Sequence, residues 1–279
     1  MKIDHVSVAG RSLSKLQEAF SSSGMTTQYG GPHSGGITEM SLLGFDDGSY
    51  VELISTTKPG LVPTIWRRQI EGDGGPCAWA IMVDDIAAEV SKAKLLGITG
   101  NGPGDYSRKR PDGVTVEWEL GFIGEQEPGA VLPFLIKDKT PRNLRVMPSP
   151  SVSGGPLKGV GAVVIGVEGL ERPVRTFREL FGWGEPEKRA DLWQGVELAA
   201  FPGTPVVLAS PEGAGWLEQR LGRFGQSPCA FLFDTSDMKS AAARYHLGPG
   251  ESWFGEDVLR WVGPLKESGS MIGVIGRQN

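Results

Sequence analysis

Short runs of alternating apolar and polar residues, separated by glycine-rich turns, dominate the start of the chain. Residues 3–8 alternate in this way and predict a strand. A helix follows, for which Ser12 is the predicted N-cap. Its apolar positions at helical spacing are Leu13, Leu16 and Phe20. Three short strands come next, near 26–29, 37–45 and 49–55. This succession predicts one βαβββ module.

The same order of elements recurs along the chain and predicts four such modules. Residues 76–82 read PCAWAIM and return at 228–234 as PCAFLFD. Modules one and two occupy residues 1–140, modules three and four occupy 157–279, and the proline-rich stretch 141–156 is interpreted as a linker. We therefore predict an α+β protein of two domains, in each of which two modules pair and enclose a cavity.

Composition narrows the class of protein. With 279 residues, 39% of them hydrophobic and 22% charged, the chain is long enough for two folded domains and is not of the disordered type. A net charge of -5 without a basic stripe argues against nucleic acid as a partner. No apolar run approaches the length of a membrane span, and the first residues, MKIDHVSVAG, lack a signal-peptide pattern. With only two cysteines, we expect a cytoplasmic protein without disulfides.

Several segments, taken in order, resemble the glyoxalase-like domains of the vicinal oxygen chelate superfamily. These segments are IDHVSVAG, GGPHSGG, DGSYVELIS, RKRPDGVTVEWEL and LPFLIKD, all within residues 1–140. Residues 157–279 join the resemblance mainly through the internal repeat. The resemblance implies four βαβββ modules paired into two glyoxalase-like domains with cupped mixed sheets, of which the second is a degenerate copy.

The resemblance also implies metal ligands on the first and last strands of each module. In module one these positions hold His5 and Glu52. The corresponding positions of the other modules hold side chains that cannot bind a metal: Ala78, Phe134, Ala162, Val207, Ala230 and Gly273. A divalent ion such as zinc, iron, manganese or nickel is therefore expected in the N-terminal domain, with His33 as the candidate third ligand.

Strand periodicity independently turns His5 and Glu52 toward a common hollow. His5 shares a face with Ser7, and Glu52 shares a face with Tyr50. A carboxylate between apolar residues of a strand needs a partner, because burial of an unpaired charge is very costly. The first and last strands of this module type are neighbours, so the imidazole and the carboxylate are expected to meet.

The predicted substrate pocket extends to further side chains on these and nearby strands. Its predicted members are Ser7, Tyr50, Glu39, Glu117 and Trp118. Glu39 and Glu117 are also alternatives to His33 as a third ligand, although the spacing of Glu117 is more typical of a solvent face. The basic run 108–110 could bind an anionic substrate at the cavity mouth, but a solvated turn is the favoured interpretation.

These features favour a metal-dependent enzyme with lyase- or isomerase-like chemistry on a small oxygenated molecule, with His5 and Glu52 as catalytic residues. Two alternatives stay open: a non-catalytic protein that sequesters a small molecule, and a metal-free enzyme in which His5 and Glu52 transfer protons. An extradiol dioxygenase is not expected, because the C-terminal half offers only His246, off the ligand pattern. The expected partner is a small-molecule substrate or ligand, with neither nucleic acid nor membrane, and a homodimer is compatible with these features.

Overall fold

The elements of the first half follow the predicted order, βαβββ twice over. The computed structural model describes residues 1–190, 193, 195–255, 257–267 and 269–276. The first half comprises β1 (Ile3–Ala9), α1 (Leu13–Ser22), β2 (Gln28–Pro32), β3 (Thr38–Gly44), β4 (Tyr50–Thr56), α2 (Arg67–Glu71), β5 (Gly75–Met82), α3 (Ile86–Leu95), β6 (Gly100–Lys109), β7 (Thr115–Ile123) and β8 (Phe134–Asp138). A short helix, α4 (Arg142–Arg145), follows.

The second half repeats this order. It comprises β9 (Leu157–Gly166), α5 (Glu171–Phe181), β10 (Glu187–Arg189), β11 (Val196–Ala200), β12 (Val206–Pro211), α6 (Trp216–Phe224), β13 (Ser227–Thr235), α7 (Met238–Arg244), β14 (Leu247–Ser252), β15 (Val258–Val262), α8 (Gly263–Glu267) and β16 (Ile272–Gly276). None of the helices in the described ranges is long and apolar enough to cross a membrane.

Each half forms one eight-stranded mixed sheet. The strand orders are β2-β3-β4-β1-β5-β8-β7-β6 and β10-β11-β12-β9-β13-β16-β15-β14. In the first sheet, β1 runs parallel to β4 and antiparallel to β5, so that two modules join edge to edge at their first strands. The strands β9, β12 and β13 repeat this pairing in the second sheet. The predicted α+β fold of four modules in two sheets is thereby confirmed, whereas the domain boundaries stay a prediction.

Short polar side chains and one glycine determine where the elements of the first half begin and turn. The predicted N-cap Ser12 accepts a hydrogen bond from the Lys15 amide at 3.4 Å, and Asp85 caps α3 through the Ala88 amide at 2.9 Å. The hairpin between β3 and β4 turns through Gly48, whose φ of 84° favours glycine. Local chemistry thus sets the strand register that positions the residues of β4.

One hydrophobic core connects the two halves. Trp79 of the first sheet stacks against Phe177 of α5 with ring centroids 6.4 Å apart. Phe45 contacts Phe233 of β13 at 5.0 Å between centroids. The predicted linker 141–156 also packs on the first half, where Arg145 is buried. The halves therefore stabilise each other.

We expect Phe233→Ala to lower the free energy of unfolding by about 3–5 kcal/mol, because removal of a fully buried ring leaves a cavity between the halves. Since the core is shared, chemical denaturation should show a single transition that shifts as a whole by circular dichroism and by tryptophan fluorescence. The control Leu95→Ala removes a side chain that is 89% exposed and should change stability by less than about 0.5 kcal/mol. Two separate transitions, one of them at the wild-type midpoint, would contradict a shared core.

Candidate functional site

A cavity of about 440 Å³ lies against the first sheet. Side chains from both modules line it, because β1 and β5 join the modules into one surface. Its apolar lining includes Met40, Leu42, Trp66, Trp118, Phe122 and Phe134. Its polar lining includes His5, His33, Thr38, Glu52, Arg108 and Arg145. A small molecule with an apolar body and few polar groups matches such a lining.

The imidazole of His5 is held on all sides in the cavity wall. Its Nδ1 lies 2.6 Å from Asp4 Oδ1, its ring stacks on Tyr50 at 4.6 Å between centroids, and the edge of Phe134 meets it at 5.1 Å. Because an ionised Asp4 can only accept a hydrogen bond, we assign the proton to Nδ1. The other nitrogen, Nε2, then carries the lone pair and lies 3.9 Å from Glu52 Oε2.

Asp4 is fully buried and is neutralised by arginines of α4. Arg145 donates to its two carboxylate oxygens at 3.0 and 2.8 Å, and Arg142 forms a further ion pair. Burial alone would raise the pKa of Asp4, but the charge of Arg145 and the hydrogen bond from His5 outweigh it and hold this pKa well below its ordinary range. Arg145 is in turn bound to Asp138 at the end of β8, at 2.5 Å. The network keeps Asp4 ionised beside His5.

Asp4 is a site residue that the sequence reasoning missed. Strict alternation along β1 would put Asp4 and His5 on opposite faces. The pairing of β1 with β5 shifts register between Ile3 and His5, and such an irregularity re-aims side chains. The available signal was an aspartate inside an otherwise apolar run, since a buried carboxylate demands a cation.

Glu52 is the second acidic group of the site and is 6% exposed. Its Oε1 lies 3.3 Å from His33 Nε2, and its Oε2 accepts a hydrogen bond from Ser7 Oγ at 3.2 Å. His33 Nδ1 lies 2.9 Å from Thr38 Oγ1, which fixes the ring. Burial raises the pKa of Glu52, but the hydrogen bond and charge of His33, with the charge of His5, lower it to about 2. Glu52 is therefore a stable carboxylate at neutral pH.

The structure brings most of the predicted site residues together. His5, His33, Glu52, Tyr50 and Trp118 all line the cavity. Ser7 does not reach the cavity surface, but it supports Glu52 from behind.

Glu39 and Glu117 lie away from the cavity, so their prediction as pocket residues is corrected. In β3 the cavity-lining residues alternate as Thr38, Met40 and Leu42, which turns Glu39 to the other face, where it accepts a hydrogen bond from Tyr29 at 2.9 Å. Glu117 is exposed on the face of β7 opposite the side chain of Trp118.

Arg108, unlike Glu39 and Glu117, is a cavity residue that the sequence does not favour as one. The sequence favours a solvated turn for its segment, yet Arg108 is 6% exposed and lines the cavity. Its two terminal nitrogens donate to the carbonyl oxygens of Gly30 at 2.5 Å and Arg145 at 2.8 Å. The chain therefore places a buried cation in the cavity wall.

As they lie, the residues present do not fit a resident divalent metal ion. In the ranges that the structure describes, no group of three or more His, Cys, Asp or Glu side chains is arranged to hold one. Both oxygens of Glu52 are engaged by His33 and Ser7, and His5 Nε2 is 3.9 Å from the carboxylate. Of the expected ligand set, His33 is hydrogen-bonded to Glu52, whereas His5 lies near Glu52 without a hydrogen bond to it.

The equivalent region of the second sheet is filled by apolar side chains. Trp193 stacks on Trp261 with centroids 5.2 Å apart and meets Trp216 at 4.5 Å. Ala162 and Val207, at the positions equivalent to His5 and Glu52, are buried in this apolar cluster. The second half therefore has a packed apolar core at the place where the first half has the polar side chains of His5 and Glu52.

Comparisons with known proteins agree with this architecture. The profile of a family described as glyoxalase-like domain matches residues 3–181. Among curated proteins, none matches the chain in sequence.

Solved structures share the fold over the whole chain at low sequence identity. A hypothetical protein from Staphylococcus aureus superposes with a TM-score of 0.63 and 13% identity, covering 98% of both chains. A mutant 4-hydroxymandelate synthase from Streptomyces coelicolor gives a TM-score of 0.64 and 10% identity, covering 100% of this chain and 93% of that one. A xylose isomerase-like TIM barrel/4-hydroxyphenylpyruvate dioxygenase fusion protein gives 0.60 and 12%, covering 99% of this chain and 48% of that one.

At these identities the solved structures establish a common fold and no common reaction. The family match spans more than half of the chain and includes β1 to α5. The chain belongs to the glyoxalase-like domain family.

Proposed function

We propose that the first half of the chain is an enzyme that transfers a proton on a small oxygenated molecule, with lyase- or isomerase-type chemistry and His5 as the base. The main support for this proposal is the buried Asp4–His5 pair in the wall of a largely apolar cavity, in which His5 Nδ1 and Asp4 Oδ1 are 2.6 Å apart. A base oriented by a carboxylate is a common element of acid–base sites.

His5 would act through its Nε2. The lone pair on this nitrogen takes a proton from the bound molecule, and Asp4 stabilises the imidazolium that forms. Arg142 and Arg145 hold Asp4 ionised, so the proton on Nδ1 stays where it is and the ring keeps its orientation. The stacked Tyr50 ring opposes rotation of the imidazole.

Glu52 and His33 would manage charge around the transferred proton. With a pKa of about 2, Glu52 is a weak base, and its carboxylate lies 3.9 Å from His5 Nε2, the nitrogen that would take up the proton. The side chain of His33 is 29% exposed and bonds to Glu52, so it can exchange protons between the site and solvent. Glu52 is thus proposed to stabilise charge, and His33 to restore the starting protonation state.

A non-catalytic binding protein is the second candidate, and the aromatic lining of the cavity favours it. The metal-dependent alternative keeps one supporting observation. The Nδ1 atoms of both imidazoles are bonded, to Asp4 and to Thr38, which directs both Nε2 atoms toward Glu52, as is typical of metal-binding histidines. Isotope exchange with and without a chelator separates the three functions.

We further propose that the protein acts in the cytoplasm on a small molecule, alone or as a homodimer. Cys77 and Cys229 are both free and buried, which agrees with a reducing compartment.

In D₂O, wild-type protein treated with EDTA should introduce deuterium next to the carbonyl of an accepted compound from a panel of small aryl and alkyl carbonyl compounds, as followed by NMR. His5→Asn should slow this exchange by about 10²–10⁴-fold, because the positioned base is lost. The matched control His246→Asn changes a histidine that follows α7 in the second half, and it should exchange at the wild-type rate.

Two results would contradict the proposal. Exchange that stops after chelation and returns with zinc or manganese would establish a metal-dependent site. Binding of panel compounds, seen as a rise in melting temperature, without exchange of any of them would favour sequestration.

The pH dependence of stability should change in Glu52→Gln. The pKa of Glu52 falls from its ordinary 4.5 to about 2 on folding, so its ionisation stabilises the folded state fully above about pH 4.5. As the pH falls from 4.5 toward 2, the unfolded chain takes up the proton first and this stabilisation is lost. Urea denaturation across this range should show the advantage of wild type over the variant shrinking. An advantage that grows on acidification would mean that Glu52 is not held ionised.

A further inference from the structure

Arg108 is a buried cation without a carboxylate in contact. Among the described residues it forms no ion pair within 4 Å, its two terminal nitrogens donate to main-chain carbonyls, and the charge of Glu52 acts on it only through space. Burial lowers the pKa of its guanidinium, which reflects the cost of removing the charge from water. Neutral carbonyl oxygens offset less of this cost than a carboxylate does.

The neighbouring arginine of the cavity wall shows the contrast. Arg145 is equally buried, but Asp4 and Asp138 accept its hydrogen bonds and neutralise it. Arg142 shares the same two carboxylates. Of the three arginines, Arg108 is therefore the one that has no carboxylate in contact.

The rest of the cavity defines what such a ligand looks like. Trp66, Phe122 and Phe134 line the same cavity as Arg108, together with further apolar side chains. A single guanidinium matches one carboxylate, which it can bind through two parallel hydrogen bonds. A phosphate dianion would leave one charge unbalanced in an apolar wall.

We propose that Arg108 binds the carboxylate of a ligand whose apolar or aromatic body fills the cavity, so that the accepted molecules are small aryl or alkyl carboxylates. Binding of a carboxylate by Arg108 does not depend on the proposed function. Only the identification of this ligand as the substrate rests on it. Arg108 sets specificity by charge, while the proton is transferred at His5.

The experiment compares matched pairs of probes: phenylacetate with phenylacetamide, and 3-phenylpropionate with its amide. Dissociation constants are measured by titration calorimetry, with ligand-detected NMR for weak binders. Wild type should bind each carboxylate at least about tenfold more tightly than its amide. Arg108→Gln should abolish this preference, and Arg108→Lys should restore part of it, because a point charge replaces the planar fork.

The control is Arg110→Gln. Arg110 also donates to a main-chain carbonyl, that of Leu144 at 2.8 Å, and it pairs with Asp112 outside the cavity lining. Its replacement should leave the preference for carboxylates intact. Melting temperatures of all variants identify any general loss of fold.

The assignment is overturned if carboxylates and amides bind equally, if Arg108→Gln keeps the preference, or if no carboxylate binds at millimolar concentration. Inorganic phosphate and benzoate can each be tested as competitors of phenylacetate. Equal competition by the two would also overturn the carboxylate assignment. A failure of the proposed function alone gives another result. Carboxylates then bind through Arg108, but the His5→Asn variant exchanges deuterium as fast as the wild type does.

Discussion

The ionised Asp4, buried between His5 and two arginines, is the constraint on which the site depends. It is fully inaccessible to solvent, and breaking a buried ion pair by removal of one partner typically costs about 3–5 kcal/mol. The same contacts join β1 to α4 and, through Asp138, to β8. The segment between the two sheets therefore serves as more than a connection, because its arginines hold the carboxylate that orients His5, the proposed base.

The two halves use one fold in different ways. In the first sheet, the polar residues His5 and Glu52 take the inward positions and line a largely apolar cavity of about 440 Å³. In the second sheet, small apolar residues take the equivalent positions, and stacked tryptophans such as Trp193 and Trp261 cover them. The shared core gives the second half a structural role, since contacts such as that of Phe45 with Phe233 stabilise the first half.

Periodic and repeated features were predictable from the sequence, whereas long-range charge pairing was not. The alternation along β1 and β4 was sufficient to predict that His5 and Glu52 point inward. The internal repeat was sufficient to predict the four modules. Asp4 and Arg145 are 141 residues apart, and no local pattern connects them. Arg108 lies in a basic run that resembles a solvated turn, and only the packing of β6 shows that it is buried.

The position of the proton on the neutral His5 ring decides whether this residue can act as a base toward the cavity. In ¹⁵N NMR spectra of the EDTA-treated protein, recorded at a pH at which the ring is neutral, we expect a proton on Nδ1 whose resonance is shifted downfield by the short hydrogen bond to Asp4, and an unprotonated Nε2. A proton on Nε2 with a bare Nδ1 would contradict it, because His5 would then have no lone pair with which to act as a base toward the cavity.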